Sequence, residues 1–152
     1  MFKYFFSTVL FSLLTSLGFA QIENPVSWSF TSKKIGPKKY EIHLTATIQD
    51  KWHLYAQQAG EGPEPTSFEF TKNPLLKFEG KVVEVGKLET AFDPNFNSTL
   101  RFYTKKVDFV QKVTIKTAAA TAVKGVLNFM VCNDRKCLPP KEIPFSIPIS
   151  GK

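Results

Sequence analysis

Apolar and polar residues alternate along much of this chain with a period of two, the spacing at which a β-strand turns one face inward and the other to water. The clearest instance is Tyr40, Ile42, Leu44, Ala46 and Ile48, interleaved with Glu41, His43, Thr45, Thr47 and Gln49. Val26, Trp28 and Phe30 alternate in the same way, and Gly36-Pro37 supplies a break, so the two runs are predicted to pair antiparallel. Further strands are predicted at residues 52–55, 67–70 and 81–85, then through Phe102, Val107, Phe109, Val113 and Ile115. Val123, Leu127, Phe129 and Val131 alternate into a turn that carries both cysteines, and Ile143, Phe145 and Ile147 end the pattern. Pro144 and Pro148 mark that last strand as an edge, because proline cannot donate to a ladder.

The breaks between these runs are rich in turn chemistry. Residues 60–65 are a Gly- and Pro-rich loop, Asn73-Pro74 is an interruption, and residues 117–122 are a small-residue connection. Residues 92–97 contain Asp93-Pro94-Asn95 but also Phe92 and Phe96, large rings that a loop holds only when it has a surface to cover. His43, on the polar side of its strand, is expected at the surface. No stretch beyond residue 20 has a 3.6-residue apolar period. The pattern therefore predicts an all-β fold, an immunoglobulin-like antiparallel β-sandwich, without the Cys-Trp-Cys signature of antibody domains.

The amino end changes the domain boundaries. Lys3 precedes an apolar run, residues 4–17, that is shorter than the ~20 residues a membrane span needs. Gly18-Phe19-Ala20 follows with small residues at the cleavage positions, so residues 1–20 read as a secretory signal peptide and residues 21–152 as one soluble domain. Export would place the cysteines where disulfides persist. The whole chain has 20 Lys and Arg against 13 Asp and Glu. These lysines are scattered, which describes a solvated basic surface and not a nucleic-acid site. P-loop, dinucleotide and nucleophile-elbow motifs are absent.

The candidate chemistry lies in Val131-Cys132-Asn133-Asp134-Arg135-Lys136-Cys137-Leu138-Pro139-Pro140, which holds the only two cysteines. Extended chain rises ~3.3 Å per residue, so the backbone must reverse for Cys132 and Cys137 to bond. Asn133 and Asp134 favour such a turn. Closing so small a ring is worth only about 2 kcal/mol in the chain-entropy model. Arg135 and Lys136 favour thiolate and Asp134 opposes it. Two readings stay open on the residues alone: a reversible redox pair, or a permanent clip in a secreted binding module that uses Trp52, Tyr55 and Phe92 as contacts. The spacing is not that of a zinc knuckle, and only His43 and His53 could complete a site, so no metal or cofactor is expected.

Trp52-His53-Leu54-Tyr55 with Gln57-Gln58, Phe96 followed by Tyr103, and residues 126–131 running into Cys132, Cys137 and Pro139-Pro140 resemble the amino-terminal periplasmic domain of the DsbD thiol:disulfide interchange family. The likeness runs through essentially the whole predicted domain. It implies an immunoglobulin-like periplasmic module that relays electrons, with Cys137 attacking and Cys132 resolving. It further implies a phenylalanine shield over the pair, at Phe96 or Phe92, and places His53 and Tyr55 near the cysteine turn. The implied acceptor is a periplasmic thioredoxin-fold disulfide protein; the implied donor is a thioredoxin-like reductase or membrane thiol transporter. Neither nucleic acid nor a direct membrane span is implied. This chain differs in having four residues between its cysteines instead of five, Leu138 in place of an aromatic, and Pro94-Asn95 in place of an acidic pair. With Lys152 as its last residue, the reductant is expected on another polypeptide.

Overall fold

The alternating runs become strands in the computed structural model, which describes residues 23–150. In chain order these are β1 (Val26–Gly36), β2 (Lys39–Ile48), β3 (His53–Tyr55), β4 (Ser67–Phe70), β5 (Leu76–Asp93), β6 (Ser98–Ile115), β7 (Thr121–Phe129), β8 (Val131–Cys132) and β9 (Lys141–Ile149). They form an immunoglobulin-like antiparallel sandwich. The larger sheet runs β1-β2-β6-β3-β8, with β5 along the opposite edge of β6, and the smaller sheet runs β4-β7-β9. The predicted signal peptide lies outside the described residues. Among those described, no helix is long and apolar enough to cross a membrane.

Burial follows the period of two. Tyr40, Ile42, Leu44, Ala46 and Ile48 are all buried on β2, against Val123, Leu127, Phe129, Phe145 and Ile147 of the smaller sheet. Phe109 stands opposite Leu44 in the β2–β6 register. Its ring meets those of Trp28 at 5.8 Å, Phe68 at 5.1 Å and Tyr103 at 6.3 Å, so one side chain ties β1, β4 and β6 together. Complete burial of a side chain of this kind stabilises the fold by about 1.5–3 kcal/mol relative to leaving it in water.

Three expectations change. The strand expected at residues 81–85 is the middle of the 18-residue β5, which pairs with β6 through register shifts at Glu79/Val83 and Gly86/Leu88. Those shifts, and the exposure of Val83 and Val85, hide the period. His43 is not simply exposed: Asp108 Oδ2 lies 2.7 Å from its Nδ1, and Thr45 donates to the same carboxylate at 2.9 Å. Finally, the strand leading to the cysteines does not run unbroken to Val131. β7 ends at Phe129 in the smaller sheet, and beyond Met130 the chain resumes as β8 in the larger one, paired with β3. The predicted edge strand is β9, where Pro144 stands opposite Val126 and Pro148 opposite Ala122.

Candidate functional site

β8 is two residues long because the chain turns back on itself at once. Asn133 makes the turn: its N–H donates to the Lys136 carbonyl at 2.9 Å, while its side-chain oxygen accepts from the N–H groups of Arg135 and Lys136, both at 2.9 Å. Short side chains that bond to nearby backbone do this well. Leu138 N–H then donates to Val131 carbonyl at 3.0 Å and zips the returning chain to β8. Across this turn Cys132 and Cys137 form a disulfide with their Cα atoms 4.0 Å apart. The two cysteines are buried to different degrees. Cys132 is 0% exposed, whereas Cys137 is only half-buried.

The bridge belongs to a second, smaller apolar cluster. Tyr55, Ala59, Leu100 and Cys132 are its buried members, and Phe96, Phe102, Met130 and Cys137 pack against them. Phe96 comes from the turn between β5 and β6 and meets Tyr55 edge-on, ring centroids 6.1 Å apart. Its seat is the loop after β3. Gly62 has φ +117°, which side chains rarely tolerate, and a Cβ there would lie 2.5 Å from Phe96 Cδ1. That loop is stitched to β6 by Ala56 N–H to Arg101 carbonyl at 3.0 Å and Arg101 N–H to Ala59 carbonyl at 2.8 Å. Phe92 is placed otherwise, 62% exposed at the end of β5.

Beside the turn lies a polar chain. Tyr55 hydroxyl donates to Asp93 Oδ2 at 3.1 Å, and His53 Nε2 lies 3.3 Å from the Tyr55 oxygen and 3.9 Å from Asp93 Oδ2. Asp93 is itself buried and accepts from Asn95 N–H at 2.8 Å. Burial, and then the Asp93 carboxylate, hold the Tyr55 phenol well above its usual range. Burial lowers the His53 imidazole below its ordinary value, against the opposing pull of Asp93, Asp134 and Glu89. A cleft of about 490 Å³ opens over this chain, walled by Phe92, Phe102, Lys51, Lys105, Asn133 and Asp134 among others.

Of the residues singled out in the sequence, Cys132, Cys137, Phe96, His53 and Tyr55 come together here. Arg135 and Lys136 are exposed on the turn, and the Lys136 ammonium pairs with the Glu23 carboxylate. Trp52 is 7% exposed, Tyr55 0% and Phe92 62%, so of the three contact aromatics in the binding-module reading only Phe92 offers surface. The sequence reading missed Asp93 and Gly62. Each looked like turn chemistry, and no local signal ties either of them to the cysteines.

Fold and hairpin together define a class: an immunoglobulin-like domain that presents a bonded cysteine pair on a surface turn. Residues 24–147 match the family described as thiol:disulfide interchange protein DsbD, N-terminal, and the chain belongs to that family. Membership and the cysteine pair support thiol–disulfide exchange as the chemistry of the site. No curated protein sequence matches the chain. Among solved structures, the N-terminal periplasmic domain of ScsB from Proteus mirabilis is similar with a TM-score of 0.53 and 15% identity, over 83% of this chain and 45% of that one. The Neisseria meningitidis DsbD N-terminal domain in its reduced form is similar with a TM-score of 0.53 and 17% identity, over 82% and 86%. The complex of the Neisseria meningitidis DsbD and PilB N-terminal domains gives 0.51 and 15%, over 83% and 87%. At these identities the likeness is one of fold, and this chain spans less than half of the ScsB chain.

Proposed function

We propose that this domain is a periplasmic electron relay, exported by residues 1–20, in which Cys132 and Cys137 alternate between dithiol and disulfide. The observation that carries this reading is the unequal burial of the pair: Cys132 is fully buried and Cys137 only partly, at the end of a surface turn. In the reduced state the Cys137 thiolate attacks the disulfide of an acceptor, and one acceptor sulfur leaves as a thiol. Cys132 then attacks Cys137, the mixed disulfide breaks, and the second acceptor sulfur leaves. Two electrons have passed to the acceptor and the bridge has re-formed. A donor dithiol reverses the sequence by attacking Cys137 and expelling Cys132.

The acceptor is an exported thioredoxin-fold disulfide protein, and the donor is a thioredoxin-like reductase or membrane thiol transporter. The Neisseria domain solved reduced, and again in complex with a PilB domain, supports a cycle of this kind. Phe96 shields the pair between encounters and swings aside when a partner docks, while Phe92 stands outside the shield. Cys132→Ser is expected to trap a mixed disulfide with a thioredoxin-fold substrate, and Cys137→Ser to trap none. A bridge that stays oxidised in equilibrium with a strongly reducing thioredoxin overturns the reading, because a relay must lie within reach of its donor's potential.

A further inference from the structure

Exchange places unequal demands on the two sulfurs. Only a thiolate attacks, and an apolar enclosure such as the one around Cys132 disfavours it. On the exchange reading above, Cys132 must nevertheless lose a proton in the resolving step, inside a cluster of Tyr55, Ala59 and Leu100. A base at hand would settle the difficulty. β3 pairs with β8 so that His53 stands directly across from Cys132. Residues opposed in an antiparallel pair bring their Cβ atoms within about 4.5–5.5 Å.

The hydrogen bonds of the ring assign its tautomer. Tyr55 has one hydroxyl hydrogen, and it goes to Asp93 Oδ2. The 3.3 Å contact between His53 Nε2 and the Tyr55 oxygen is then made by an Nε2–H donor. In a neutral imidazole this leaves the lone pair on Nδ1. Phe102 packs on the ring with centroids 4.6 Å apart. The 14% of the side chain that stays exposed faces the cleft, which gives the proton a way out.

We infer that His53 is the proton acceptor for Cys132 in the resolving step, with Tyr55 and Asp93 orienting the ring and stabilising its positive charge. The proton of the Cys132 thiol passes to His53 Nδ1, and the sulfur attacks Cys137. The Cys132–Cys137 bond forms, the bond from Cys137 to the partner's sulfur breaks, and the partner leaves with the electron pair as a thiolate. The imidazolium then gives its proton to the leaving thiolate or to water in the cleft. When a donor reduces the bridge, Cys132 is the leaving thiolate and the imidazolium protonates it. The charged groups facing the ring are Asp93 and Glu89 from β5 and Asp134 from the cysteine turn, with Asp50, Lys51 and Lys105 on the cleft wall. Burial keeps the imidazole a free base at neutral pH despite those carboxylates.

The test separates the two steps. Reduced protein is mixed with the aromatic disulfide 5,5′-dithiobis(2-nitrobenzoate) in a stopped-flow instrument. The first thionitrobenzoate released reports attack by Cys137 and the second reports resolution by Cys132. In His53→Gln, which can still donate to Tyr55, the first release should be unchanged. The second should slow about a hundredfold, within the usual range for general-base catalysis, and should lose its plateau above the imidazole's titration. Free imidazole should restore the second release in His53→Ala. Equal second-phase rates and pH profiles in His53→Gln and the unmodified protein overturn the role of His53 while leaving exchange intact. Absence of any second release from the unmodified protein overturns exchange itself and the inference with it.

Discussion

The two apolar clusters of this domain lie back to back across β3 and β8, and they are built differently. On the inner face Leu54 and Val131 join the sandwich core, where rows from both sheets interlock around Phe109. On the other face Tyr55 and Cys132 belong to a cluster of four buried residues whose cover comes from a turn and a glycine loop. In the first cluster the ring of Phe109 is held among strands of both sheets, so removing it leaves a cavity. In the second, one ring lies on a Gly62 seat and meets Tyr55 edge-on. The first arrangement suits permanence, and the second suits the bond that the proposed relay would have to reach and then hide again.

Several substitutions would break or sharpen this contrast. Phe109→Ala is expected to cost about 3–5 kcal/mol in urea denaturation of the oxidised protein, because its ring joins three strands. Opening the bridge should cost far less, about 2 kcal/mol for so short a loop. A cost as large as that of Phe109→Ala would make the bridge a structural staple. Phe96→Ala should leave the fold intact and speed reaction of the bridge with glutathione about tenfold, equivalent to roughly 1.4 kcal/mol of barrier. Gly62→Ala should act in the same direction, since its new Cβ collides with the Phe96 ring.

Acidification gives a smaller effect of known sign. The folded-state pKa of His53 lies below its ordinary 6.5, so the unfolded chain takes up this proton first. Stability therefore falls as pH drops from 6.5 toward the folded value, with no further contribution from this group below it. In His53→Gln that part of the pH dependence should vanish from denaturation midpoints. Smallest of all, Phe92→Ala should change stability by no more than about 0.5 kcal/mol, because its ring is 62% exposed on the wall of the cleft.

How much of this was legible in the sequence depended on whether the signal was local. β2 was readable because its two faces differ at every step, as were the edge prolines of β9 and the chain reversal that two nearby cysteines demand. β5 was hidden because register shifts interrupt its period and Val83 and Val85 are apolar on an exposed strand. The resemblance placed His53, Tyr55 and Phe96 near the cysteines, but said nothing of how they are held.

The amino-acid sequence by itself determined the β character, the cysteine turn and the family, since period, turn chemistry and motif order are properties of neighbouring residues. Only the tertiary structure decided which cysteine is fully buried, which phenylalanine packs into its cluster, and that Asp93, 38 residues from Tyr55, accepts its hydroxyl. Those are consequences of sheet register, where the pairing of β3 with β8 and of β5 with β6 sets distances that no spacing along the chain encodes.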